Sequence, residues 1–349
     1  MDGTPNSRVS RITGALLGLA VGDALGWPSL YHRSYQLPFW TRRIRRELDA
    51  EQESTNATRP PVPFSLNQPV EPLALGPSDD AEWAAFTATL LVRTEGRLEP
   101  DAVAGAWQEL AASEQPVRGP ISVQGALHNL RRGVLPPQSG HDNAHYMDDA
   151  AAIRAIPIGA CCAGDPEKAA LLAERDACVT NALEGLWAAR AMAAAVAVAC
   201  GGGGTDAAVD AALRQLPADS WIARTAQRAL ELCDEPASLF GLIPLLSDKI
   251  INRIYSYGSL APETIALALA LIHRTRGDFA SSVLAAAVLT RTADSLPALV
   301  GGLCGALAGE VAIEPSWRER CRNLAGVCLP HLAGADLVSL AGQLAVVGP

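Results

Sequence analysis

Two short runs in this chain set carboxylates beside hydroxyls: Ser78-Asp79-Asp80 and Thr292-Ala-Asp294-Ser295. Neighbouring carboxylates and a hydroxyl supply the oxygen donors that a hard cation such as Mg²⁺ prefers. Each run also reads as an ordinary helix start, with serine as N-cap and acids in the first turn, an arrangement stabilising by ~1 kcal/mol. Pro297 stands where a first turn tolerates it. One such start carries little information. Two, each adjoining an unusually Ala/Gly-rich helical stretch, point to a shared site.

The elements that would position them carry glycine at every fourth residue. Gly14, Gly18, Gly22 and Gly26 form a stripe with Asp23 set among them, and Gly301, Gly305 and Gly309 repeat the device after Asp294-Ser295. Fourfold spacing puts glycines on one helix face, where another backbone can approach closely. Each helical glycine costs up to ~1 kcal/mol, so the stripes need a packing reason. Two close-packing helices with acids at their ends predict a helical core around a polar site. Asp23 inside that core must be paired or functional.

Apolar residues recur at helical spacing through most of the chain, and aromatics make up only 5% of it. The pattern predicts an all-α fold in one domain over 1–349. Helices are expected at 8–25, 38–51, 79–93, 100–113, 122–132, 148–154, 166–175, 182–200, 206–215, 220–233, 246–255, 262–274, 278–290, 294–309, 315–328 and 331–346. Six prolines between Thr58 and Pro77 predict an extended surface insertion, and 133–147 reads as a second irregular stretch. The Gly201–Gly204 run reads as a connector, lacking the Lys-Ser/Thr of a phosphate loop.

A net charge of −9 disfavours a nucleic-acid surface. No signal peptide is expected, because Asp23 interrupts the N-terminal apolar run. The apolar runs at 191–200 and 298–309 are shorter than the ~18 residues of a membrane span. Eight cysteines without C-x-x-C spacing read as buried free thiols of a cytoplasmic protein. His141 and His145 have the i,i+4 spacing of metal ligands but lie in a Pro/Gly-bordered loop. Trp27, His32 and Trp83 either border a pocket or pack helices, and Tyr257 either lines the site or ends a helix.

At this point the chain resembles the ADP-ribosylglycohydrolases, which include the hydrolase that removes ADP-ribose from dinitrogenase reductase. Gly14-Ala-Leu-Leu-Gly-Leu-Ala-Val-Gly-Asp-Ala-Leu-Gly26 matches their opening helix almost letter for letter. Ser78-Asp79-Asp80-Ala81 corresponds to their T-D-D-T metal motif. Residues Asp148 to Gly159 align with G-N-G-x-x-M-R-x-x-P-I-G, and Thr292 to Gly302 with D-x-D-T-x-x-A-x-x-G-A.

The resemblance implies a compact all-α domain with a magnesium centre. Ser78, Asp79, Asp80, Asp294 and Ser295 become the metal-ligand candidates, with Asp79, Asp80 and Asp149 as catalytic carboxylates. Asp23, Trp27, Asp148, Asn181 and Tyr257 become the substrate-binding candidates. Three departures stand out. Leu30 replaces a family glutamate, Thr292 replaces the first aspartate of the last motif, and Thr180-Asn181 replaces a Ser/Thr-His pair. Leu30 cannot ligate and Thr292 brings no charge, so one Mg²⁺ is expected and the second position is impaired. The implied reaction is cleavage of a glycosidic bond to ribose, in ADP-ribose, in an ADP-ribosylated protein or in a smaller ribosyl substrate. Asp148-Asp149 makes the middle loop more acidic than the family pattern and favours a less anionic ligand. A nucleoside or small-glycoside hydrolase, or a binding protein that has lost its metal centre, are the alternatives.

Overall fold

A computed structural model describes residues 7–252, with the exception of 32–75, together with 259–289 and 291–348; for 27–31 it describes the backbone alone. Among the described residues there are sixteen α-helices and no strand. They begin with α1 (Arg8–Tyr31), α2 (Asp79–Arg93), α3 (Pro100–Ala112), α4 (Ile121–Arg131), α5 (Gln138–His141) and α6 (Ala150–Cys161). The middle of the chain forms α7 (Pro166–Ala177), α8 (Leu183–Cys200), α9 (Thr205–Arg214), α10 (Trp221–Cys233) and α11 (Leu239–Lys249). Then follow α12 (Ala261–Thr275), α13 (Phe279–Val288), α14 (Leu296–Ala308), α15 (Pro315–Cys321) and α16 (Leu337–Val347). The fold is all-α, as the periodicity requires.

The two glycine stripes face each other at the centre. A Cβ added at Gly14 would stand 2.2 Å from the Gly305 carbonyl oxygen, and one at Gly18 would stand 2.2 Å from that of Gly301. At Gly22 and Gly26 the same atom would come within 1.9 Å of the carbonyls of Pro297 and Ala293. The pairing runs 14 to 305, 18 to 301, 22 to 297 and 26 to 293, so α1 and α14 are antiparallel. Only hydrogen at Cα permits that approach. The register carries Asp23 to the N-terminal end of α14, beside Asp294.

Packing overrides local propensity in several places. The helix expected to stop near Arg154 continues to Cys161 with Pro157 inside it, because every residue of α6 is buried. There Gly159 lies so near α8 that its Cβ would stand 2.4 Å from Ala193 O. The helix expected over 246–255 instead starts at Leu239, where the Ser238 hydroxyl accepts from Gly241 N (3.1 Å) and Pro244 is tolerated within the helix. The helix expected over 315–328 ends at Cys321, and the last one begins at Leu337 under an Asp336 cap. The Gly201–Gly204 run is the connector it was read as. The charged helix expected at 38–51 and the proline-rich stretch up to residue 75 lie outside the described residues.

Two helical segments, Arg8–Gly26 and Leu183–Cys200, are long and apolar enough to cross a membrane by length and composition. The apolar run at 191–200 is thus part of a longer helix than its own length suggested. Most of each segment is buried against other helices, as core helices are.

Candidate active site

Four helix starts converge beside the end of the α1–α14 pair. Ser78-Asp79-Asp80 open α2, Asp148-Asp149 precede α6, Ser259 lies just before α12, and Asp294-Ser295 precede α14. Hydroxyls tie them together. Ser259 Oγ donates to Asp294 Oδ2 (3.2 Å), Ser295 Oγ donates to Asp149 Oδ1 (3.1 Å), and the two serine oxygens are 3.4 Å apart. Backbone bonds fix the loop: Asp149 N donates to Ser259 O and Ala261 N to Met147 O, both at 3.0 Å. Helix N-termini offer unpaired N–H groups and the positive end of the helix dipole, which favours acids there.

The acids are nevertheless far from their ordinary state. Burial pushes Asp79 up to about 8, with the charges of Asp294 and Asp23 adding to it. Asp80 is held well above the carboxylate range by burial and by Asp79, Asp23, Asp294 and Asp149. Asp149 is likewise raised well above by burial and by Asp148 and Asp294, against the opposing hydroxyls of Thr264 and Ser295. The charges of Asp23, Asp79, Asp149 and Asp294 thus bear on Asp80, and those of Asp23 and Asp294 on Asp79. Asp79 and Asp294 are partly exposed, whereas Asp80 and Asp149 are buried.

Asp23, which the sequence requires to be paired or functional, is paired. Its Oδ2 accepts from Ser78 N (2.7 Å) and Ala81 N (3.0 Å), and its Oδ1 accepts from the Ser78 hydroxyl. It thereby caps α2 from another helix, and the expectation that Ser78 caps its own helix is overturned: the Ser78 side chain makes no cap bond. Burial raises Asp23 to about 6, and the bonds from Ser78 and Ala81 oppose that rise.

Asp148 and Asn181 are also turned inward. Asp148 is fully buried, its carboxylate accepting from Ser122 N (3.3 Å), Ala150 N (3.2 Å) and Asn181 Nδ2 (2.9 Å). Asn181 in turn accepts from Thr180 Oγ1 (2.6 Å), which accepts from Arg154 Nη2 (2.7 Å). In this structure Asp23, Asp148 and Asn181 brace the site from behind, where the sequence reading set them against substrate. The Trp27 side chain and Tyr257 lie outside the described residues. Trp83 is core: it stacks on Trp107 at 5.4 Å and donates to Arg118 O. His141 is exposed and pairs with the neighbouring Asp142 at 3.1 Å.

Sequence reasoning passed over three residues that build this site. Glu82, fully buried, accepts from the backbone N–H of Val327, Cys328 and Leu329 at 2.6, 2.7 and 2.8 Å, fastening a C-terminal loop to α2. Arg154 pairs with Asp176 (2.8 Å) and lies over the Trp107 ring. Ser259 supplies the hydroxyl on Asp294. Arg154 left a signal, as the one charge inside an apolar helix; Glu82, in an acidic first turn, and Ser259 left none.

The donors fit a small divalent cation by type and by unmet charge. All are oxygens, and Asp80 Oδ2 and Asp149 Oδ2 are buried without a hydrogen-bond partner. Among the described residues no three Asp, Glu, His or Cys side chains already surround one point as ligands, so an ion would have to draw the carboxylates together.

Residues 4–348 match the sequence profile of the ADP-ribosylglycohydrolases. The chain belongs to this family. A solved structure described as an ADP-ribosylglycohydrolase-related protein complex is similar in fold, with a TM-score of 0.60 and 22% identity over 98% of this chain and 99% of that one. No curated protein matches the chain. Within the ADP-ribosylglycohydrolase frame, the departure at Thr292 now has a geometry. Thr292 is fully buried and its hydroxyl donates to Leu289 O (3.1 Å), closing a turn. The Leu30 side chain lies outside the described residues.

Proposed function

We propose that this ADP-ribosylglycohydrolase-family chain is a Mg²⁺-dependent glycosidase that hydrolyses an N- or O-glycosidic bond to ribose, in ADP-ribose or a related ribosyl substrate. The observation that carries the reading is the joining of distant acidic helix starts by hydrogen bonds, Asp23 to Ser78 beside Asp79 and Asp80, and Asp294 to Asp149 through Ser259 and Ser295. Ser78, Asp79, Asp80, Asp294 and Ser295 are the residues that would hold the ion. When bound, Mg²⁺ supplies Lewis-acid polarisation of a sugar hydroxyl or of water.

The remaining work falls to the chain itself. Asp79 and Asp294 present the partly exposed carboxylates, so they are the acids a substrate or water reaches first. Asp79 or Asp80 serves as base toward the attacking water. The surrounding negative charge favours the oxocarbenium character that develops at the anomeric carbon. Ser259 and Ser295 hold the carboxylates of Asp294 and Asp149 in place.

One observation favours a smaller, less anionic substrate within this class. Asp148-Asp149 stands where the family pattern has Gly-Asn, and two more buried acids beside the candidate site make it a poorer surrounding for a diphosphate than for an uncharged ribosyl group. A nucleoside or small ribosyl glycoside is therefore the second reading. The eight cysteines are free thiols, which suits action in the cytoplasm.

The test incubates metal-stripped protein, with and without added Mg²⁺, with an ADP-ribosylated peptide, ADP-ribosyl conjugates and a nucleoside panel. Release of ADP-ribose, ribose or free base is followed by chromatography. Mg²⁺-dependent release from any of them is the expected result, and faster release from nucleosides selects the second reading. No release from the whole panel overturns both and leaves a binding protein.

A further inference from the structure

We infer that Asp149 is a metal-binding carboxylate in this chain, carrying from the start of α6 the negative charge that Thr292 does not bring from the start of α14. The inference rests on the metal reading above and deepens it.

Three observations support the exchange. Thr292 is closed off, its hydroxyl committed to Leu289 O and its side chain fully buried. Asp149 is 2% exposed; Oδ1 accepts from Ser295 and the Thr264 hydroxyl also favours its ionised form, while Oδ2 makes no hydrogen bond of ordinary geometry. A buried carboxylate oxygen left this way costs about 1–3 kcal/mol or more, so a cation or a proton belongs on it. Asp80 Oδ2 is the other buried carboxylate oxygen of the cluster in that condition.

The support around Asp149 is that of a held ligand. Its backbone N–H is fixed on Ser259 O (3.0 Å), and Ser295, itself a candidate ligand, grips its other oxygen. Ser259 and Ser295 connect it to Asp294 through two hydroxyls, so the start of α6 and the start of α14 are one hydrogen-bonded unit. Outer hydrogen bonds of this kind orient a ligand oxygen and leave the other lone pairs for the ion.

The experiment is direct binding of Mn²⁺, as a spin-active substitute for Mg²⁺, to the metal-stripped full chain. Affinity is read by calorimetry and bound ion by electron paramagnetic resonance. Asp149→Asn, nearly isosteric, is expected to weaken binding at least about tenfold while keeping the wild-type circular dichroism. Glu263→Gln, a buried acid of α12 held by Asn252 N, is expected to leave affinity within about twofold, the ordinary scatter for a residue outside the site. Asp149→Ala makes the same test should the amide not fold. Wild-type affinity in a folded Asp149 variant overturns the inference and leaves the metal reading standing. Failure of the wild-type chain to bind Mn²⁺ removes the metal reading itself, and the inference with it.

Discussion

The acidic centre and the Arg154 brace behind it bury charge in opposite ways. Behind the site, Arg154 and Asp176 cancel each other in a pair that is almost wholly inaccessible, extended through Thr180 and Asn181 to Asp148. At the centre, burial raises Asp79, Asp80 and Asp149 toward the protonated state, and the charge of Asp294 adds to the rise of each. A balanced buried pair holds structure, and removing one partner strands the other. A cluster of like charges weakens the fold and persists because something it binds offsets the repulsion. The contrast separates residues that shape this site from residues that use it.

Mutations can break that contrast cleanly. Asp79→Ala and Asp294→Ala are each expected to drop turnover to background on whichever ribosyl substrate the chain hydrolyses, with an unchanged or higher thermal midpoint, because a like-charge contact is relieved. Full activity in both variants would refute the metal site. Arg154→Met should do the reverse and lower unfolding free energy by about 3–5 kcal/mol in denaturant titrations, the usual cost of orphaning a buried charge.

A titration sharpens the same line. Glu263 is raised by burial from 4.5 to about 7, with Asn252 N–H and Arg291 opposing the shift. An acid raised on folding favours the native state least where the unfolded chain has ionised. Its penalty is therefore absent below pH 4.5 and grows as pH rises to about 7. Glu263→Gln should gain about 2–3 kcal/mol at pH 8 and nothing at pH 4, read from urea melts at both values. Equal gains at both pH values would show that packing, and not ionisation, sets the effect. The smallest change is Thr180→Val. It cuts the link between Arg154 and Asn181 and should cost about 1–2 kcal/mol, with Mn²⁺ affinity held within twofold. A larger loss of affinity would make the brace part of the site.

Much of the fold was legible because its cause is local or strongly periodic. Gly14, Gly18, Gly22 and Gly26 announced a backbone-on-backbone contact, and the mate at Gly301 and Gly305 carried the same spacing. The start of α2 was readable from its acids, although its cap was not. Asp23 lies 55 positions before Ser78, and nothing in either segment says which carboxylate reaches those N–H groups. The boundaries of α6 and α11 were not readable: α6 runs through Pro157 because the whole helix is buried, and α11 starts early because the Ser238 hydroxyl caps it.

By itself, then, the amino-acid order determined an all-α chain, the glycine-faced helix pair and the residue types of an oxygen-donor site, since helical periodicity and side-chain chemistry belong to neighbouring residues. Tertiary structure alone decided which helix starts meet, that Asp23, Asp148 and Asn181 are buried in hydrogen bonds, that Thr292 bonds its own turn while Asp149 bonds Ser295, and that Glu82 and Arg154 hold the frame. Those outcomes depend on contacts between segments far apart in the chain, and the burial that shifts each carboxylate exists only once the helices have packed.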